Sequence, residues 1–229
     1  MLDAQPAGAA SRAAAGGTSC LRDYAARVLP AFTPPALTRL PIEDGLLLFH
    51  ERWLPPALTA AAFAALKQET PWKAEEIRIA GKLIPVPRRT AWYGDPEAVY
   101  VYSGLRNEPL PWTPLLSALR DAVTKAAGAP LNAVLLNLYR DGRDSMGWHA
   151  DDEPELGKDP VVASLSLGAP RRFVLRHAKK KGKSMTFVLG DGALLVMAGS
   201  TQHHYRHAVP KEEQAGERIN LTFRCVLSR

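Results

Sequence analysis

The sequence predicts a predominantly β fold, a sandwich or barrel, with helices ahead of it. Three observations carry this. From Ala133 onward the chain breaks into short β-like runs separated by Gly, Pro and Asp turns, as in antiparallel sandwiches and barrels. No helical segment intervenes between those runs, which argues against a parallel α/β sheet. The two helical signatures both lie upstream.

Taken in order, residues 1–41 read as a flexible Ala/Gly/Pro-rich leader. Ten of the first seventeen residues are Ala or Gly, and Arg12 interrupts any apolar core a signal peptide would need. The domain proper is expected over residues 42–229, starting at Ile42. Pro56 to Glu69 is Ala-rich, with Leu58, Ala62 and Leu66 at helical spacing. Trp112 to Ala127 has helical punctuation: Thr113 caps, Pro114 suits the first turn, Leu115, Leu119 and Val123 form a stripe, and Gly128 terminates. The expected strands are Ala133 to Tyr139, Val161 to Leu167, Arg172 to His177, Ser184 to Leu189, Ala193 to Ala198, Tyr205 to Val209, and Arg218 to Leu227.

Composition narrows the classes. The 229 residues are 46% hydrophobic and 23% charged, which excludes gross disorder. No uncharged apolar run approaches the roughly 18 residues a membrane span needs. Cys20 and Cys225 are too few for a disulfide framework or a cysteine zinc site, so a reducing compartment is expected: cytoplasmic, or nuclear in a eukaryote. Lys and Arg outnumber Asp and Glu by 29 to 23, giving a pI near 9.4 and a surface suited to a polyanion. Between Pro160 and Gly190 seven basic residues (171, 172, 176, 179, 180, 181 and 183) meet no acid. That run reads either as a solvated hairpin or as a surface gripping phosphates.

The chemistry concentrates in three places. His149 and Asp151 stand two apart, so in extended chain an imidazole and a carboxylate point to the same side. A third ligand is available from His203, His204 or His207. Two His and one carboxylate form the facial set of non-haem Fe(II) oxygenases, with catalytic zinc as the competing reading. In Arg218-Ile-Asn-Leu-Thr-Phe-Arg224, alternation puts Ile219, Leu221 and Phe223 on one face and Arg218, Asn220, Thr222 and Arg224 on the other. That polar face points at water in an ordinary strand. Lining a barrel interior, its two guanidinium groups would instead need anionic partners, which a small dicarboxylate supplies. Asn137 and Tyr139, again two apart, add an amide and a phenol to the same ligand.

Together these residues resemble the AlkB-type Fe(II)- and 2-oxoglutarate-dependent dioxygenases, which oxidatively dealkylate nucleic-acid bases. The resemblance runs from about Gly81 to Val226, through Val86-Pro-Arg-Arg-Thr-Ala-Trp-Tyr-Gly-Asp95, Asn137-Leu-Tyr139, His149-Ala-Asp-Asp-Glu153, Ala163-Ser-Leu-Ser-Leu-Gly168, His207-Ala-Val-Pro210 and the Arg218–Arg224 strand. It implies a double-stranded β-helix, or jelly roll, with N-terminal helices packed outside. His149, Asp151 and His207 would then hold Fe(II), and Asn137, Tyr139, Arg218, Asn220, Thr222 and Arg224 would hold 2-oxoglutarate, with O2 as the second cosubstrate.

By the same resemblance, residues 72–106 form a nucleotide-recognition segment in which Lys82, Tyr93, Tyr100 and Tyr102 meet an extruded base. Asp152 and Glu153 would contact a base made cationic by alkylation, and Arg171 would grip a phosphate. The implied reaction is oxidative demethylation of bases such as 1-methyladenine and 3-methylcytosine in DNA, with RNA as a further substrate. Formaldehyde, succinate and CO2 would be released. Ala80 stands where duplex-repairing relatives place an aromatic wedge, and Lys211-Glu-Glu213 is acidic where a duplex binder is basic, so single strands are favoured. Tyr205 replaces the Trp of close relatives. A monomer that binds no membrane is expected. The alternatives are a related 2-oxoglutarate oxygenase acting on another substrate, and a nucleic-acid-binding module without turnover.

Overall fold

Strand Arg218–Arg224 is buried at all seven positions. A sheet covered on one side would expose every second residue. Here Ile219, Leu221 and Phe223 join a core formed with the helices. Arg218, Asn220, Thr222 and Arg224 face a second sheet, so the polar side of the strand lies inside the molecule.

The computed structural model describes residues 20, 22–79, 82–102, 105–180 and 182–227. In chain order its strands are β1 (Thr38–Leu40), β2 (Leu46–His50), β3 (Lys73–Ile79), β4 (Lys82–Gly94), β5 (Tyr100–Tyr102), β6 (Leu105–Asn107), β7 (Ala133–Tyr139), β8 (Met146–His149), β9 (Val162–Gly168), β10 (Arg171–His177), β11 (Ser184–Leu189), β12 (Leu194–Ala198), β13 (Tyr205–Val209) and β14 (Arg218–Arg224). The major sheet has the order β1-β2-β12-β9-β14-β7-β4-β3 and the minor sheet β11-β10-β13-β8, while β5 and β6 form a separate hairpin. Adjacent strands in both sheets run antiparallel. This is the expected mainly β architecture of two facing sheets.

Both expected helices form. The Pro56–Glu69 helix buries Leu58, Ala62 and Leu66 against the major sheet. In the Pro114–Ala127 helix, Thr113 accepts the Leu116 N–H and Gly128 closes the end with φ 66°, a left-handed conformation that glycine adopts without steric cost. Leu115, Leu119 and Val123 enter the same core. A second apolar cluster, including Leu47, Phe173, Leu195 and Met197, sits between the two sheets.

The leader boundary needs correction. Residues 22–28 are helical, Ala25 and Leu29 are fully buried in the helix-side core, and Phe32 packs edge-on against Trp53 at 5.6 Å. Thr38–Leu40 then pairs with β2. The domain therefore starts before residue 42. Ala- and Pro-rich composition resembled a linker, yet few apolar anchors suffice to dock it. Residues 1–19 lie outside the described residues.

Arg171 also requires correction. It was expected on a phosphate-gripping surface, but its side chain is 0% exposed. It donates to the carbonyls of Asp144 (2.8 Å) and Pro210 (2.7 Å) and lies 5.3 Å from the Tyr139 ring centroid. Inward parity on β10, where Arg172 is exposed and Phe173 buried, places it there. Removing it strands buried acceptors, so Arg171→Ala should lower stability by about 2–4 kcal/mol. Urea denaturation measures this; unchanged stability with weakened oligonucleotide binding would restore the phosphate role.

Candidate active site

A β-bulge assembles the first group. His207 on β13 lies opposite His149 on β8, but Val209 lies opposite Met146, so β8 holds one residue more than its partner over this stretch. The extra residue lets both Met146 and His149 face the interior. Their rings bring His149 and His207 within 4.2 Å, centroid to centroid. The His149 Nδ1 atom lies 2.9 Å from the Gly147 carbonyl. Protonated there, it donates to that carbonyl and leaves Nε2 with a free lone pair.

Asp151, 2% exposed, follows directly. Its backbone N–H donates to Gln202 Oε1 (3.0 Å), and its Oδ1 accepts from Arg224 Nη2 (2.5 Å). Its Oδ2 is buried without a hydrogen-bond donor and lies 3.5 Å from His207 Nε2. Burial pushes the Asp151 carboxyl up, but Arg224, His207 and His149 outweigh it and hold the group at about 2. Burial and the neighbouring His149 push His207 down to about 3. Near neutral pH the pair is therefore a carboxylate and a neutral imidazole, the states a cation requires. The candidate ligand atoms of His149, Asp151 and His207 all lie within 4.8 Å of one another, so the group can hold one metal ion.

Of the other candidate ligands, His203 turns away, with Nε2 against the Lys158 carbonyl and Asp159. His204 belongs to a second group with Asp44 and His177. There His177 Nδ1 accepts the N–H groups of Lys179 and Lys180, which leaves Nε2 as the protonated nitrogen facing Asp44 (3.3 Å). Lys180 already neutralises that carboxylate at 2.6 Å. This group ties down a hairpin and offers no free imidazole lone pair from His177.

Asn137, Tyr139, Arg218, Asn220, Thr222 and Arg224 line one cavity together with His149 and His207. Arg218 donates to Ser166 Oγ (2.9 Å) and sits 5.2 Å from the Tyr139 ring, while its Nε and Nη1 are buried without partners. Such a guanidinium calls for an anion. Thr222 and Asn220 are instead engaged with each other and with Ser164, so they buttress the wall. Asn137 Oδ1 accepts from Arg88 Nε at 2.6 Å.

A larger cavity of about 320 Å³ meets His149, Asp151 and Arg224, and is lined by Trp92, Thr90, Leu110, Lys73, Glu75 and Glu108. Sequence reasoning missed Arg88 and Trp92, although alternation on β4 groups Arg88, Thr90 and Trp92 on one face. The same alternation corrects Tyr93. It pairs with Val134 and packs into the helix-side core, outside the lining of this cavity. Asp152 is exposed and Glu153 half-buried, and neither lines this cavity. The side chains of Lys82, Tyr100 and Tyr102 lie outside the described residues.

The basic run is also less free than expected: Lys180 and Lys183 pair with Glu43, and Arg172 leans on Glu212. Lys181 lies outside the described residues.

Residues 45–224 match a family model described as the 2OG-Fe(II) oxygenase superfamily. The chain belongs to that superfamily. Within it, this 2OG-Fe(II) oxygenase is of AlkB type. It is 44% identical over 171 residues to the alpha-ketoglutarate-dependent dioxygenase alkB homolog 3 of Rattus norvegicus, covering 70% of this chain and 57% of that one. It is 42% identical over 159 residues to the DNA oxidative demethylase ALKBH2 of Homo sapiens, covering 66% and 61%. The chain thus spans less than two thirds of either relative. The solved structure of OsALKBH1 shares the fold, with a TM-score of 0.61 and 15% identity over 82% of this chain and all of that one. Membership implies Fe(II), 2-oxoglutarate and O2. The donor set fits: two imidazoles and a carboxylate with a donor-free Oδ2 stand beside a buried guanidinium that lacks an anion.

Proposed function

We propose that the chain is an Fe(II)- and 2-oxoglutarate-dependent oxidative demethylase of N-alkylated nucleic-acid bases. The observation that carries this is one continuous lining: His149 borders both the cavity of Arg218 and the larger cavity of Trp92. His149, Asp151 and His207 are assigned to the metal. Arg218 is assigned to the distal carboxylate of 2-oxoglutarate, with Tyr139, Asn137 and Arg224 completing its site. When bound, iron with O2 and 2-oxoglutarate supplies the oxidation that hydroxylates the alkyl carbon, releasing formaldehyde, succinate and CO2.

The chain's own residues select the base. Trp92 offers an aromatic wall, and besides the metal-group Asp151 the cavity is faced by the carboxylates of Glu75 and Glu108, which suit a base made cationic by alkylation. Curated relatives named DNA oxidative demethylase support DNA as substrate. Single strands are proposed as the preferred form and RNA as a second substrate. One chain supplies every site residue, consistent with a monomer. No helix among the described residues is long and apolar enough to cross a membrane. The place of action is assigned by the substrate: the cytoplasm, or the nucleus of a eukaryote.

Mass spectrometry of matched single- and double-stranded DNA and RNA carrying 1-methyladenine or 3-methylcytosine tests the reading. Loss of the methyl group with formaldehyde release is expected, fastest on single strands. Turnover of 2-oxoglutarate with every methyl group intact would leave an oxygenase acting on another substrate.

A further inference from the structure

The four strands of the minor sheet contain no Asp or Glu. They carry four arginines. Arg171 is buried as described, and Arg172 leans on Glu212 at 3.6 Å. Arg176 and Arg206 both project outward and stand directly opposite each other across β10 and β13. Like charges in that position weaken a sheet. Among the described residues, neither has a carboxylate partner at ion-pair distance. The Arg176 guanidinium lies 4.4 Å from the centre of the Trp148 ring, and Trp148 is a large aromatic left 42% exposed.

The bulge that turns His149 inward leaves Trp148 on the outer side of β8, one residue from the metal group. Because β8 is an edge strand, this outer face adjoins the rim of the larger cavity, which Met146 and His149 line. A cationic, acid-free sheet face with an exposed indole suits a chain that is anionic and presents flat π-faces.

We propose that Trp148, Arg176 and Arg206 form a platform for single-stranded nucleic acid, holding nucleotides that flank the base in the site. The platform takes its biological sense from the demethylase reading but is tested without turnover. A duplex keeps its base faces stacked inside, so it offers the indole nothing; a single strand offers both phosphates and free bases.

The test is fluorescence anisotropy of full-length protein with labelled, unmodified oligothymidylate of about ten nucleotides, titrated across salt concentrations. Trp148→Ala should weaken binding about ten-fold, with Trp148→Phe recovering most of it. The double change Arg176→Ala and Arg206→Ala should reduce the slope of log affinity against log salt by about 1.4. Thermal midpoints should stay close to that of the unaltered protein, and affinity for a blunt duplex of equal length should change little. Equal binding by all variants would overturn the platform, as would equal losses on single strand and duplex. So would inorganic polyphosphate binding as tightly as the oligonucleotide and independently of Trp148. The predicted pattern together with no methyl removal from any substrate would keep the platform and reject the demethylase reading.

Discussion

Arg218→Met should raise the dissociation constant for 2-oxoglutarate at least about thirty-fold, since truncating one partner of a buried charge pair costs about 2 kcal/mol or more. The same change should stabilise the ligand-free protein. Arg218 is among the largest fully buried side chains, and its Nε and Nη1 have no partner. The nearby positive charge of Arg171 opposes it further. Met fills similar volume and removes the buried charge, at the loss of the hydrogen bond to the Ser166 hydroxyl and the contact with Tyr139. Replacing buried charge by apolar volume of this kind is worth about 1–3 kcal/mol. Isothermal titration calorimetry and urea denaturation would read the two effects. Opposite signs are the mark of a charge kept for a ligand; a loss of both affinity and stability would make Arg218 a structural residue.

Asp151→Asn should remove tight metal binding, weakening it beyond the roughly 100-fold ceiling of outer-partner changes. Turnover should fall with it. The amide keeps the shape of the carboxylate but carries no charge, and it leaves Arg224 and the two imidazoles without their anion. Because the Arg224 ion pair is buried, the metal-free variant should also lose about 3–5 kcal/mol of stability. His149→Ala separates the two effects. His149 is only partly buried, and its ring hydrogen-bonds to the Gly147 carbonyl two residues away. This variant should lose the metal while keeping most of its stability. Calorimetry with Mn(II) distinguishes the outcomes, and near-normal metal affinity in either variant would remove that side chain from the ligand set.

Much of this site was legible because period-two alternation survives in strands buried on both faces. The Arg218–Arg224 strand reads correctly from sequence: apolar residues go to the helices and polar residues to the cavity. Tyr93 reads wrongly without the same test, since its parity on β4 turns it into the helix-side core while Trp92, one residue earlier, takes the cavity side. Arg171 escaped because a basic residue within a basic run resembles surface; only the loops bearing Asp144 and Pro210, distant in sequence, supply the acceptors that bury it. The bulge at Gly147 and Trp148 is a property of pairing with β13 and leaves no local sequence signal. The docking of residues 22–40 was hidden for a similar reason. Its anchors, Ala25, Leu29 and Phe32, are too few to show a period, and their value arises from the core they meet.

The most direct measurement is an anaerobic titration of the intact chain with Fe(II) and 2-oxoglutarate, followed by absorbance. A metal-to-ligand charge-transfer band should appear only when both are present, and should vanish in His149→Ala and in Asp151→Ala. A folded, unaltered protein that gives no band at saturating Fe(II) and 2-oxoglutarate would contradict the assignment of His149, Asp151, His207 and Arg218 to a shared iron and 2-oxoglutarate site.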